Sequence, residues 1–146
     1  PCMQELSSWK APAHDDIRRH TLRGSNQRID RKTREAIDEV EDSPSKIRAR
    51  LDELDREWNV DRALMLNFAV LGAVSSSLAM RSFSKHRRFN GWAAVFATQL
   101  GFLAVHAVKR WCPPMPVFRR LGFRSDQEIA EERAALRTRL SQLESR

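Results

Sequence analysis

Two uncharged runs decide how this chain is read: ALMLNFAVLGAVSSSLAM at residues 63–80 and FNGWAAVFATQLGFLAVHAV at residues 89–108. The first holds no charged side chain, and in the second only His106 titrates. At ~1.5 Å of rise per helical residue they reach roughly 27 and 30 Å, close to the ~30 Å hydrocarbon core of a bilayer. The expected fold is therefore all-α, with a two-helix transmembrane hairpin over residues 63–108 and amphipathic helical extensions at both termini. RSFSKHRR, residues 81–88, is expected as the connecting loop.

Charge is distributed around these runs rather than evenly. The net charge is +7 and the mean hydropathy is -0.57, which on average describes a soluble protein. Yet residues 1–62 hold 13 Lys/Arg against 14 Asp/Glu, residues 125–146 hold 4 against 5, and residues 81–124 hold 9 against none. A nucleic-acid-binding module would carry its cations on a folded face, often with aromatics or a known motif. Cations collected beside apolar spans suit anionic headgroups instead. The expected partner is thus a lipid bilayer, with no nucleic acid; a soluble basic helical nucleic-acid-binding protein is the weaker alternative. Two cysteines far apart, Cys2 and Cys112, form no disulfide framework. The opening residues lack the apolar core of a signal peptide, so the first run is expected to direct insertion.

Outward from the runs, residues 1–27 show no sustained apolar period and are expected to form a flexible arm, with Trp9 as a lone anchor. Residues 28–62 read as charged amphipathic helices. Ile29, Thr33, Ala36, Ile37 and Val40 recur at helical spacing, Ser43-Pro44 restarts the helix, and Ile47, Leu51, Leu54 and Trp58 continue it. DELDREWNVDRAL contains no helix breaker, so this helix is expected to run unbroken into the first span. Residues 109–124 form a basic Pro-rich turn, where Pro113, Pro114 and Pro116 force an extended path. Residues 125–146 form a C-terminal amphipathic helix. Ser125 and Glu128 make its capping box, and Ile129, Leu136, Leu140 and Leu143 make a stripe expected to pair with Ile47, Leu51 and Leu54.

Within the spans, Ala69, Ala73 and Ser77, and likewise Ala93, Ala97 and Gly101, recur every four residues. Such small-residue ridges let helices approach closely in lipid, so these are the expected packing surfaces, either within the hairpin or in a homo-oligomer or larger membrane complex. Asn67 and Gln99 are mid-span amides expected to hydrogen-bond to a neighbouring helix. Trp58, Trp92 and Trp111 stand near span ends, as interfacial anchors do. Arg81, Lys85, Arg87, Arg88, Lys109 and Arg110 are expected to meet headgroups. More cations flank the hairpin than fill its loop, which favours cytoplasmic termini, although four cations in eight residues also make the loop itself an inward signal.

A hairpin whose second helix ends in Cys112-Pro113, followed by Leu121-Gly122, resembles the transmembrane domain of YgaP-like inner membrane proteins, in a short form without a rhodanese domain. The resemblance covers about residues 56–125. It implies a bacterial inner-membrane location with cytoplasmic termini. Because relatives fuse this hairpin to a rhodanese, it also implies a rhodanese-type sulfur-transfer partner. Lys109 and Arg110 beside Cys112 favour a thiolate, whereas a helix C-terminus disfavours one, so a working thiol and an interfacial stop both stand open. His106, the single titratable group in a span, is expected to hydrogen-bond or meet a headgroup. It lacks a companion ligand one turn on, where Lys109 and Arg110 stand, so no metal or other cofactor is expected. No catalytic constellation is legible. The leading expectation is a non-enzymatic membrane scaffold subunit, and the alternative is a sulfur carrier or thiol-redox protein using Cys112.

Overall fold

A computed structural model describes residues 9, 11–12, 14–40, 42–86 and 90–145, among which there are seven helices and no strand. They are α1 (Asp16–Arg19), α2 (Arg23–Val40), α3 (Pro44–Arg56), α4 (Val60–His86), α5 (Gly91–Lys109), α6 (Met115–Leu121) and α7 (Asp126–Glu144). The all-α expectation holds for these residues. Arg87 and Arg88 lie outside them, as do Cys2 and the side chain of Lys85.

Helices α2, α3 and α7 form a charged head whose core is aliphatic. Ile37, Ile47, Leu54, Ile129 and Leu136 are buried together, with Val40, Leu51, Leu140 and Leu143 packed around them. The paired stripes of α3 and α7 thus meet as expected, and each such side chain contributes about 1.5–3 kcal/mol when fully buried. Trp9 belongs to the same cluster, and α1 and the start of α2 fall within residues 1–27. The expected loose arm is therefore, where described, part of the head, because Trp9 and Ile17 supply apolar area that no periodicity announces.

The expected continuous helix through residues 56–62 breaks instead. Glu57 leaves α3 in an extended conformation, and Asn59 pairs with Arg124 in an isolated parallel bridge. Local capping explains the break. The Asn59 side chain accepts the Arg62 N–H at 2.7 Å, and Val60 N–H donates to the Arg124 carbonyl at 2.8 Å, so α4 begins with its first donors satisfied. A second buried cluster, Ile17, Val60, Leu64, Cys112 and Met115, ties this start to α1 and α6.

Helices α4 and α5 lie antiparallel. Asn90 caps α5 by accepting from Ala93 N–H at 3.1 Å, and its amide donates to the Ala79 carbonyl of α4 at 3.2 Å. Farther along, Gln99 Nε2 donates to Ser75 Oγ at 3.4 Å. Helix α4 continues to His86, so most of the expected loop at residues 81–88 is helical. The seam is not the predicted pair of small ridges: Gly72, Ser75 and Gln99 are buried, whereas Ala69, Ala73, Ser77, Ala97 and Gly101 are exposed and Ala93 is half-buried. Gly72 lies against Gln99 and Phe96 and Ser75 against Gln99, so the face of α4 that meets α5 runs through positions 72 and 75, and the predicted ridge sits one residue, about 100°, away.

Residues 109–124 do not form an extended turn. Arg110 closes α5 at φ 51°, its N–H bonded to the His106 carbonyl at 2.8 Å, and the chain turns into the short α6 with Pro116 in its first turn. Proline is tolerated there because first-turn N–H groups have no helical partner. Gly122, at φ 100°, ends α6 in the left-handed region that favours glycine. Its N–H bonds the Arg119 carbonyl, and that tight reversal brings α7 back against α6.

Candidate functional site at the junction of head and apolar pair

At the base of α4 and α5, where they meet the head, lies a cleft of about 470 Å³. Its polar lining comes from four segments: Asp15 and Asp16 before and within α1, Asp61 on α4, His106 and Arg110 at the end of α5, and Asp126 opening α7. The antiparallel packing of α4 and α5 sets His106 opposite Asp61, with Nε2 to Oδ1 at 3.5 Å. His106 is 9% exposed, and its Nδ1 finds no hydrogen-bond partner among the described residues. Asp61 Oδ1 likewise accepts no hydrogen bond.

The other carboxylates are engaged. Asp15 Oδ1 caps α1 by accepting from Ile17 N–H at 2.8 Å, while its Oδ2 accepts the Ser125 hydroxyl. Asp126 accepts from the Asn59 amide, and Asp16 accepts from Arg19 at 3.4 Å. Of the site residues expected from sequence, His106 and Arg110 meet here. Asp61 was not among them. It stands just outside the uncharged run, where it reads as the end of a charged segment.

Behind the cleft lies a charge network. Glu128 and Glu132, one turn apart on α7, are both fully buried. Arg119 grips Glu128 with two bonds, 2.6 and 2.8 Å, and Arg18 reaches the same carboxylate. Arg50 donates to Glu132 at 2.9 Å, and Arg124 bridges Glu132 to Glu57, with Nε to Glu57 Oε1 at 2.7 Å. Burial alone opposes ionisation of Glu128, but the Arg119 guanidinium outweighs it and holds the carboxyl below its usual range. Burial likewise opposes the charge on Arg124, and Glu57 and Glu132 more than restore it, so its pKa is raised. Two of the nine cations in residues 81–124 are thereby bound inside the head rather than turned outward. The sequence signal was available: acids 128 and 132 fall in line with buried Leu136, i, i+4, i+8, on the apolar face of α7.

Cys112 is fully buried in the junction cluster. Burial pushes its thiol pKa up, against the Met115 backbone hydrogen bond that lowers it, which works against the cation-favoured thiolate and toward the interfacial stop. Lys109 and Arg110, the presumed activators, are exposed. Trp111 stacks on His20 at 5.5 Å between ring centroids, half-buried rather than turned fully outward. Trp58 and Trp92 are 45% and 46% exposed, and Arg62 lies 4.9 Å over the Trp58 ring. Gln99 is buried with its Oε1 unpartnered, Asn67 is half-buried and Arg81 is exposed. No group of three or more His, Cys, Asp or Glu among the described residues is arranged to hold a metal ion.

Compared with family profiles, with curated proteins and with solved structures, the chain matches none.

Proposed function

We propose that the chain is a small integral membrane protein in which α4 and α5 cross the bilayer as a hairpin and the charged head docks at one face. The observation that carries this reading is the bare apolar surface of the two helices. Both Val60–Ser84 and Gly91–Lys109 are long and apolar enough to span, and only 28% and 11% of their apolar windows are buried. The core helices of a soluble bundle would be largely covered. Here Val70, Val74, Met80, Leu100 and Val108 stand between 47% and 83% exposed along the pair, apolar surface that water tolerates poorly and hydrocarbon accepts. Exposed Trp58 and Trp92 at opposite ends suit the two interfaces. The location that fits is a bacterial inner membrane with both termini cytoplasmic, as in the YgaP-like proteins that residues 56–125 resemble.

The role is structural: a scaffold subunit that associates through helices. Exposed Ala69, Ala73, Ser77, Ala97 and Gly101 leave small-residue surface open to a second copy or a larger complex. A sulfur-carrier role draws no support from a buried thiol with a raised pKa. The test is extraction of membranes from cells expressing the full chain with alkaline carbonate. Retention in the pellet and release by detergent are expected; recovery in the detergent-free supernatant overturns the reading.

A further inference from the structure

We propose that a pocket of about 320 Å³ between α2, α3 and α6 binds a phosphate group, with Arg28 and Lys32 as charged donors and the Ser25 hydroxyl as a third. These residues stand at i, i+3 and i+7 on one face of α2, a span of ~10 Å at ~1.5 Å per residue. Helical side chains lean toward the helix N-terminus, so Arg28 and Lys32 reach back toward Ser25. Ser25 is 5% exposed and its hydroxyl bonds to no described residue, yet that oxygen is not sealed from solvent.

The other cations of the lining are spent inside the head. Arg50 bonds Glu132 and Glu53, Arg119 grips Glu128, and Arg124 bridges Glu57 and Glu132. Arg28 and Lys32 are both exposed and pair with no carboxylate among the described residues. Arg28 makes one long bond, 3.4 Å, to the Arg120 carbonyl. The charge left over at the pocket is thus two cations, which call for an anion. A carboxylate offers two oxygens in one plane. A phosphate offers a tetrahedron of them, which meets a guanidinium, an ammonium and a hydroxyl from different directions. The phosphate has two sources, an anionic phospholipid headgroup or free phosphate in solution. Apolar surface suits the first: Leu121 lines the same pocket at 71% exposed, and Val117, one turn earlier on α6, is 56% exposed. Arg124, also in the lining, takes the Val60 N–H where α4 begins, so the pocket lies at the base of the spans. The lipid source rests on the membrane reading above; the phosphate site itself does not.

The experiment measures how fast N-hydroxysuccinimidyl acetate modifies Lys32 of the full chain in dodecyl maltoside, read by peptide mass spectrometry. Exposed Lys46 on α3 is the internal reference. Inorganic phosphate at about ten times its half-protecting concentration should slow Lys32 about tenfold, by mass action, at an ionic strength held constant with chloride. Lys46 should be unaffected, and acetate should protect neither lysine. Arg28→Gln should raise the half-protecting concentration about tenfold, the weight of one charge-assisted hydrogen bond. Arg34→Gln removes the same charge from the opposite side of α2 and should leave it unchanged. A parallel measurement compares nanodiscs of phosphatidylcholine alone with nanodiscs that include phosphatidylglycerol. Slower modification of Lys32 in the second set, unmatched by Lys46, assigns the headgroup as a source; protection by inorganic phosphate assigns free phosphate. Equal slowing of both lysines, equal protection by acetate, equal weakening by Arg34→Gln, or no protection from either source overturns the proposal. The lysine comparison uses the unsubstituted chain and stands even if Arg28→Gln fails to fold. Should the chain prove soluble, the inorganic-phosphate arm is run in buffer, so the two readings fail separately.

Discussion

Arg119 on α6 and Glu128 on α7 face each other with both side chains fully buried, joined by parallel bonds of 2.6 and 2.8 Å across the Gly122 reversal. Removing one partner of such a pair strands the other charge in a poorly solvating interior, where the loss runs to about 3–5 kcal/mol. Glu128→Gln leaves Arg119 and Arg18 without their shared carboxylate. Chemical unfolding monitored by circular dichroism should show the head destabilised by about that amount. A change below about 1 kcal/mol would mean that solvent reaches the pair.

The same carboxylate sets an acid limit. Its folded-state pKa is depressed, so the unfolded chain takes up the proton first as pH falls. The stabilisation is whole at neutral pH and is lost progressively from about the ordinary value of 4.5 downward. Thermal midpoints should therefore fall steeply below that pH, and the fall should be shallower in Glu128→Gln. Parallel profiles for the two proteins would rule Glu128 out as the titrating group.

Cys112 should resist alkylation. With its side chain buried and its pKa raised, iodoacetamide at neutral pH should label it much more slowly in the folded protein than after denaturation. Peptide mass spectrometry separates its modification from that of Cys2. Rapid labelling in the folded state would restore the thiol reading.

The seam between α4 and α5 can be read by substitution. A Cβ built at Gly72 meets Gln99 Oε1 at 3.5 Å and Phe96 at 3.8 Å, whereas one at Gly101 meets nothing within 4 Å. Gly72→Leu should overpack the seam and cost about 1–3 kcal/mol, while Gly101→Ala should be neutral or gain about 0.5–1 kcal/mol from helix propensity. The reverse order, measured by thermal melting in detergent, would mean that the ridge read from sequence is the true contact.

In the head, Leu136→Ala should cost about 2–5 kcal/mol, because its side chain is fully buried among Ile37, Ile47 and Leu54. A smaller loss would indicate that α7 packs loosely on α3.

What the sequence revealed follows the physics of each signal. Period and composition are local, so the two apolar helices, the α3–α7 stripes and the Ser125–Glu128 capping box were legible. Rotation of one helix against another is not local. Gln99's bond to the neighbouring helix was expected and is made to Ser75, but the face of α4 that receives it, with Gly72 and Ser75, was not, because nothing local in the sequence tells which side of α4 meets α5. Arg119 and Arg124 were counted with the membrane-flanking cations, since a linear charge tally cannot tell a guanidinium facing headgroups from one locked on Glu128 or Glu132. For the cleft, His106 was singled out, but Asp61 gained meaning only when the antiparallel return of α5 put the two side by side.

The break at residues 57–59 has a mechanical consequence. An unbroken helix would act as one stiff rod, passing any tilt of α4 straight down α3. Severed there, α4 hands its load sideways through the Val60 N–H to the Arg124 backbone, while Arg124's side chain holds Glu57 and Glu132. The base of α4 is thus joined to α3 and α7 at one residue, Arg124, whose backbone takes the Val60 N–H and whose side chain takes both carboxylates.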